Sequence, residues 1–295
     1  MKKTLSLVLA LAMCLSLAAC GNNGAQDQSS QSGSNASASD VSSGSQQGDN
    51  SSVDAADSDW AKIESNGTMK IGITYFEPMN YFDDNGELTG FETEFATAVC
   101  EKLGVTPEFV EINWDSKIME LQAQTIDCIW NGMTITPELQ EALTISDPYI
   151  KNYQVVVIRS DNADVYTSTA DLVGKTVEAE AGSAGEAAII GEGADESLKQ
   201  AEYISAAKQT DTLLEVKTGA ADAAVLDFVL AGAMVGQGDY SDLMIIPDLQ
   251  LSVEEYGVGF RKDSDAAEKV NEAMQALIED GTLNTLAEKY DLAEL

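Results

Sequence analysis

Asp227 closes the apolar run Ala223 to Leu226, at the point where a helical segment begins with Phe228. A carboxylate placed there suits a cation or ammonium group, and it serves equally well as the N-cap of the following helix. Phe76, directly after a strand, and Trp114, ahead of a helical segment, offer aromatic faces to a solute or to the core. Gly132 and Thr134 follow a short buried strand. Glycine there permits close approach, and Thr134 or Thr136 can cap the next helix. Gly182-Ser183-Ala184 turns from strand into helix, where backbone amides and the helix dipole can receive a carboxylate. It is not a Gly-x-Ser-x-Gly nucleophile elbow, and no histidine exists anywhere to activate Ser183, which reads as a capping or hydrogen-bonding residue. The chain offers no metal-ligand cluster, no phosphate loop and no paired nucleophile and base. Its chemistry points to binding rather than turnover, with no cofactor and no metal.

These residues sit on alternating strand and helix patterns. Met69 to Tyr75 reads as a strand, Phe91 to Leu103 as a helix closed by Gly104, and Thr106 to Ile112 as a strand. Ser116 to Gln124 is helical and Asp127 to Trp130 a short buried strand. A second set begins at Gln154 to Arg159, whose continuous apolar run marks a strand covered on both faces. Strands at Thr176 to Ala179 and Ala223 to Leu226 follow, with helices at Ser183 to Ile190, Thr210 to Thr218 and Phe228 to Val235. Two last helices, Ser264 to Glu279 and Leu283 to Tyr290, break at Gly281. Strands separated by helices imply βαβ units, and the length from Trp60 onward favours two lobes over one core.

The ends set the compartment. Met1-Lys2-Lys3 and the apolar run Leu5 to Leu17 have the form of a signal peptide too short to span a bilayer. Leu17-Ala18-Ala19-Cys20 resembles a bacterial lipobox, implying cleavage before Cys20 and lipid on its sulfur. Residues 21–59 are rich in Ser, Gly, Gln, Asn and Asp and read as a disordered tether, reaching about 5–6 Å times the square root of its length. A multiply acylated Cys20 would anchor the protein durably on the outer face of the cytoplasmic membrane. A formal net charge of -34 argues against nucleic acid or an anionic lipid surface as partner. Of the four cysteines, Cys100 and Cys128 remain in the folded part, and two buried thiols are favoured over a disulfide.

Several segments in order resemble the family 3 extracellular solute-binding proteins, the polar amino acid receptors of ATP-driven importers. They are Asn85-Gly86-Glu87-Leu88-Thr89-Gly90-Phe91, Gly132-Met133-Thr134-Ile135-Thr136-Pro137-Glu138, and Ser146-Asp147-Pro148-Tyr149. Further along come Ala221-Asp222-Ala223-Ala224-Val225-Leu226-Asp227, Tyr256-Gly257-Val258-Gly259-Phe260 and Asp280-Gly281-Thr282-Leu283. The resemblance runs from Met69 to the C-terminus. It implies an α/β, two-lobed periplasmic-binding-protein-like fold of type II, each lobe a mainly parallel sheet flanked by helices. Lobe I would comprise residues 60–153 and 252–295, lobe II residues 154–251, with hinge strands near Lys151 and Val253. The inter-lobe cleft would close on a small polar solute, an amino acid before others, and the closed monomer would dock on the permease of an ABC importer.

On the same resemblance Phe76 and Trp114 pack around the solute, and Gly132 and Thr134 orient it. Ser183 and Ala184 meet its carboxylate, and Asp227 accepts from its α-ammonium. Trp130 and Tyr75 are expected in wall or core rather than in contact. One departure stands out: the family's Thr-x-x-Arg, whose arginine forks onto the ligand carboxylate, reads Thr136-Pro137-Glu138-Leu139. Lys117, Lys151 or the amides at Ser183 to Gly185 would have to replace it. With Glu180 and Asp227 both acidic, a cationic or amine solute without a carboxylate stays open. A cleft enzyme of the dehydratase type on the same scaffold, an adhesin and a signalling sensor are further classes, since fold does not fix function.

Overall fold

The computed structural model describes residues 58–292. The signal peptide, the lipobox cysteine Cys20 and the tether as far as residue 57 lie outside the described residues. Asp59, assigned to the tether by composition, is instead the first residue of a helix, α1 (Asp59–Asn66). Ser58 caps it by accepting from the Ala61 amide, and the Asp59 carboxylate meets Arg261 Nε at 2.8 Å. A polar pair of this kind, made 202 positions apart, leaves no local pattern to read.

The chain then runs through β1 (Thr68–Ile73), the small hairpin β2 (Tyr81–Phe82) and β3 (Leu88–Thr89), and α2 (Phe91–Leu103). Next come β4 (Thr106–Glu111), α3 (Lys117–Gln122), β5 (Cys128–Ile129), α4 (Pro137–Ala142) and β6 (Leu143–Ile145). The second half is β7 (Ile150–Arg159), β8 (Thr176–Glu180), α5 (Ala184–Ile190), β9 (Glu202–Ala206), α6 (Gln209–Thr218), β10 (Ala223–Asp227) and α7 (Phe228–Met234). It closes with β11 (Leu243–Tyr256), β12 (Gly259–Arg261), α8 (Ala266–Glu279) and α9 (Thr282–Lys289). Among the described residues no helix is long and apolar enough to cross a membrane.

Two five-stranded sheets result, ordered β4-β1-β5-β12-β6 and β11-β7-β10-β8-β9. Both are mainly parallel, as expected, with four strands running one way and a single strand, β12 in the first and β7 in the second, running against them. In the first, β1 pairs parallel with β4 and β5, but β12 pairs antiparallel with β5 and β6. In the second, β8 pairs parallel with β9 and β10, but β7 runs antiparallel to β10 and β11. The antiparallel members are the strands by which the chain leaves one sheet and returns to it, so helical crossovers do not precede them.

Local signals explain most boundaries. Gly104 takes φ 73° at the end of α2, a left-handed position that glycine fills without Cβ strain. Gly90 opens α2 at φ 121°, and a Cβ there would stand 2.2 Å from the Met79 carbonyl oxygen, so the close chain crossing requires glycine. Thr136 caps α4 by accepting from the Leu139 amide, with Pro137 at the first helical position. In β7, Val155 to Ile158 are all buried because α6 and α7 cover one face and the Ile189-Leu198 cluster the other. Cys100 and Cys128 are free buried thiols, and burial pushes Cys100 up to about 12.

Candidate functional site

A cavity of about 650 Å³ opens between the ends of strands from the two sheets. Trp114, Lys117, Gly132, Thr134, Ser183, Ala184 and Asp227 all line it. Phe76 and Lys151 do not, and both expectations are corrected. The Phe76 backbone pairs with Asn80 in a tight turn that sends the ring into the core behind Gly132, where a glycine Cβ would lie 3.2 Å from it. Lys151 falls between the buried Ile150 and Asn152 on β7, so strand alternation points it to solvent. Trp130 is fully buried, edge-on to Phe95 at 5.6 Å, and Tyr75 packs on Phe82.

Asp227 ends β10 inside the cavity wall, and its side chain makes no capping bond to α7. Instead, Asn152 Nδ2 and Gln154 Nε2 each donate to Oδ1 at 2.6 Å, and Gln209 Nε2 donates to Oδ2. Three amides therefore fix the carboxylate. Burial and then the neighbouring Glu254 charge raise it to about 6. Glu254 itself accepts from the Thr134 and Ser252 hydroxyls. Thr134 thus spends its hydroxyl inside the wall, where it ties the loop after β5 to β11.

Beneath the loop lies Glu92, held by Asn80 Nδ2 at 2.9 Å, the Tyr149 hydroxyl and the Gly132 amide at 2.7 Å. Burial raises it to about 7. Gly132, at φ 56°, is clamped from below by this carboxylate and flanked by the Phe76 and Tyr256 rings.

On the opposite wall, Ser183 caps α5, accepting from the Glu186 amide at 3.1 Å. The Gly182 amide donates to Glu186 Oε2 at 2.8 Å, and the Ser183 amide to the Glu180 carbonyl at 3.3 Å. A carboxylate of the chain's own already occupies the start of this turn. Lys117 is buried across from it, donating to the carbonyls of Trp114 at 3.2 Å and Gly182 at 2.8 Å, with its ammonium 4.6 Å above the Trp114 ring. Burial lowers its affinity for the proton, although Glu180 and Asp115 pull the other way. Leu139 lines the same cavity.

Asn152, Gln154, Gln209, Glu92 and Glu254 escape sequence reasoning. Asn152 and Gln154 leave one readable mark, two buried amides at a spacing of two just ahead of the apolar run Val155 to Ile158. Glu254 leaves none, because its role depends on Thr134, 120 positions away.

The model of the bacterial extracellular solute-binding proteins, family 3, matches residues 69–293. The chain belongs to this family. The arginine-binding extracellular protein ArtP of Bacillus subtilis is 28% identical over 221 residues, covering 74% of this chain and 84% of that one. The L-cystine-binding protein TcyJ of Escherichia coli is 28% identical over 232 residues, covering 78% and 84%. Among solved structures, an ABC uptake transporter substrate binding protein from Streptococcus pneumoniae with bound histidine superposes with a TM-score of 0.70 at 31% identity, covering 80% of this chain and 96% of that one. The family 3 chain therefore has the type II periplasmic-binding-protein fold, and its relatives are amino-acid-binding components of ABC transporters rather than enzymes.

Proposed function

We propose that this chain is the extracytoplasmic substrate-binding lipoprotein of an ABC importer, capturing a small polar solute, an amino acid, in the cleft between two lobes. Lobe I comprises residues 60–153 and 252–295, lobe II residues 154–251, and β7 and β11 carry the chain between them. The observation that carries the reading is Asp227, a buried carboxylate fixed by three amides and facing the cavity that Trp114 also lines. An α-ammonium is the charge such a carboxylate recognises, and desolvation makes the pairing short and orienting. The arginine, cystine and histidine bound by the relatives all carry that group.

Closure is part of the proposal. Lys117 to Gly182, together with the Lys208 to Glu111 ion pair at 2.8 Å, spans the mouth between the sheets, contacts that an open form would lack. The lipobox at Cys20 supports export and anchoring at the outer face of the membrane, beside the permease. Isothermal titration of the purified protein against the twenty amino acids, with small-angle scattering of the best binder, tests both parts. Saturable binding with a fall in radius of gyration is expected. A protein that binds none of them is not a receptor for these amino acids.

A further inference from the structure

The cavity holds more carboxyl groups than one ammonium group can use. Glu180, Asp227 and Glu254 line it, 3%, 5% and 7% exposed. Two of the three are provided for within the protein, Asp227 by side-chain amides and Glu254 by hydroxyls. Glu180 is not. It ends β8, and among the described residues no donor reaches its buried Oε1. A buried acceptor without a partner is costly, and chains keep one chiefly where something from outside supplies the donor. Lys117, the cation of this wall, does not supply it, because its ammonium is committed to two carbonyl oxygens and the Trp114 ring. Burial, and after it the charge of Asp227, raises Glu180 to about 8. The charges of Lys117 and Lys208 offset this only in part.

We infer that Glu180 receives a second positively charged nitrogen of the solute, so that the cavity selects compounds with two cationic nitrogens, one on Asp227 and one on Glu180. This rests on the receptor reading of Asp227. The shared chemistry is that of a basic amino acid and of a diamine. A solute carboxylate finds little provision here, with Leu139 apolar and the Gly182 amide taken by Glu186.

Titration with L-lysine, cadaverine and L-norleucine tests the inference, since norleucine is lysine without its distal nitrogen and cadaverine is lysine without its carboxylate. Lysine, cadaverine or both should bind at least about 10-fold tighter than norleucine, the effect of one charge-assisted bond. Glu180→Gln should bring that ratio to within about threefold, and Glu180→Asp should restore part of it. Lysine alone identifies a basic amino acid, cadaverine alone a diamine, and both together a site indifferent to the carboxylate. Norleucine binding as tightly as lysine and cadaverine overturns the inference while leaving the receptor reading intact, and so does a ratio that Glu180→Gln leaves unchanged. Absence of binding by any amino acid or by cadaverine removes both. Should Glu180→Gln fail to fold, the wild-type ratio decides alone.

Discussion

The ammonium of Lys117, on the helix that follows β4, donates to the carbonyl of Gly182 in the turn between β8 and α5 at 2.8 Å. The bond joins the two sheets across the cavity mouth, and the ammonium is buried there. Its removal leaves the Gly182 carbonyl to water or to nothing. Lys117→Met should therefore weaken solute binding about 10-fold, the cost of one hydrogen bond to a charged group, and shift scattering curves toward a more open form. An unchanged affinity and radius of gyration would remove Lys117 from the closing contact.

Gly182 adds a steric condition to the same contact. It sits at φ 70°, and a Cβ would meet Asp115 Cα at 3.2 Å. Gly182→Ala brings left-handed strain of about 1–2 kcal/mol and a methyl group wedged between the walls. Weaker binding with a near-native melting profile is the expected outcome, read by titration and calorimetry.

Asp227→Asn keeps the volume and removes the charge. Asn152 and Gln154 can still donate to the remaining oxygen, but an amide nitrogen now faces the donor of Gln209. The variant should fold with a loss of about 1–2 kcal/mol in urea denaturation and bind an ammonium-bearing solute at least about 100-fold more weakly. Retained affinity would place the ammonium elsewhere.

Glu92, Asp227 and Glu180 have folded values of about 7, 6 and 8 because burial disfavours their charge. Unfolded carboxyls titrate near 4. Between pH ~4 and ~8 the folded chain therefore holds more protons than the unfolded one, and its stability falls as pH rises through that window. The unfolding free energy of the ligand-free protein, read from urea denaturation, should drop by about a few kcal/mol from pH ~5.5 to ~8. A dicationic solute favours the ionised carboxylates, so its affinity should climb over the same interval. Flat profiles would mean that these groups are charged throughout.

The strand and helix alternation was legible because burial on both faces writes an unbroken apolar run, as in Val155 to Ile158. The edge strand β9, Glu-Tyr-Ile-Ser-Ala, half exposed and unpatterned, was not. Neither was the full length of β11, whose half-exposed residues and breaks in register near Gln250 erase the alternation. Asp227 could be read as a site candidate because it ends a buried strand. Phe76 and Lys151 could be read too, but not the direction in which they point. That is set by the Asn80 turn and by the phase of β7. The amides around Asp227 and the hydroxyls around Glu254 depend on register between distant strands, which no local window contains.

Both passages between the sheets are strands, and they are each other's neighbours, paired from Tyr153 with Val253 to Ile150 with Tyr256. Such strands lie about 4.8 Å apart, so the joint is one narrow ribbon. A ribbon flexes across its face and resists sliding along its rungs. In the proposed receptor this leaves a clamshell with a single axle: the jaws swing, but a corkscrew drift of one against the other would have to break the ladder first.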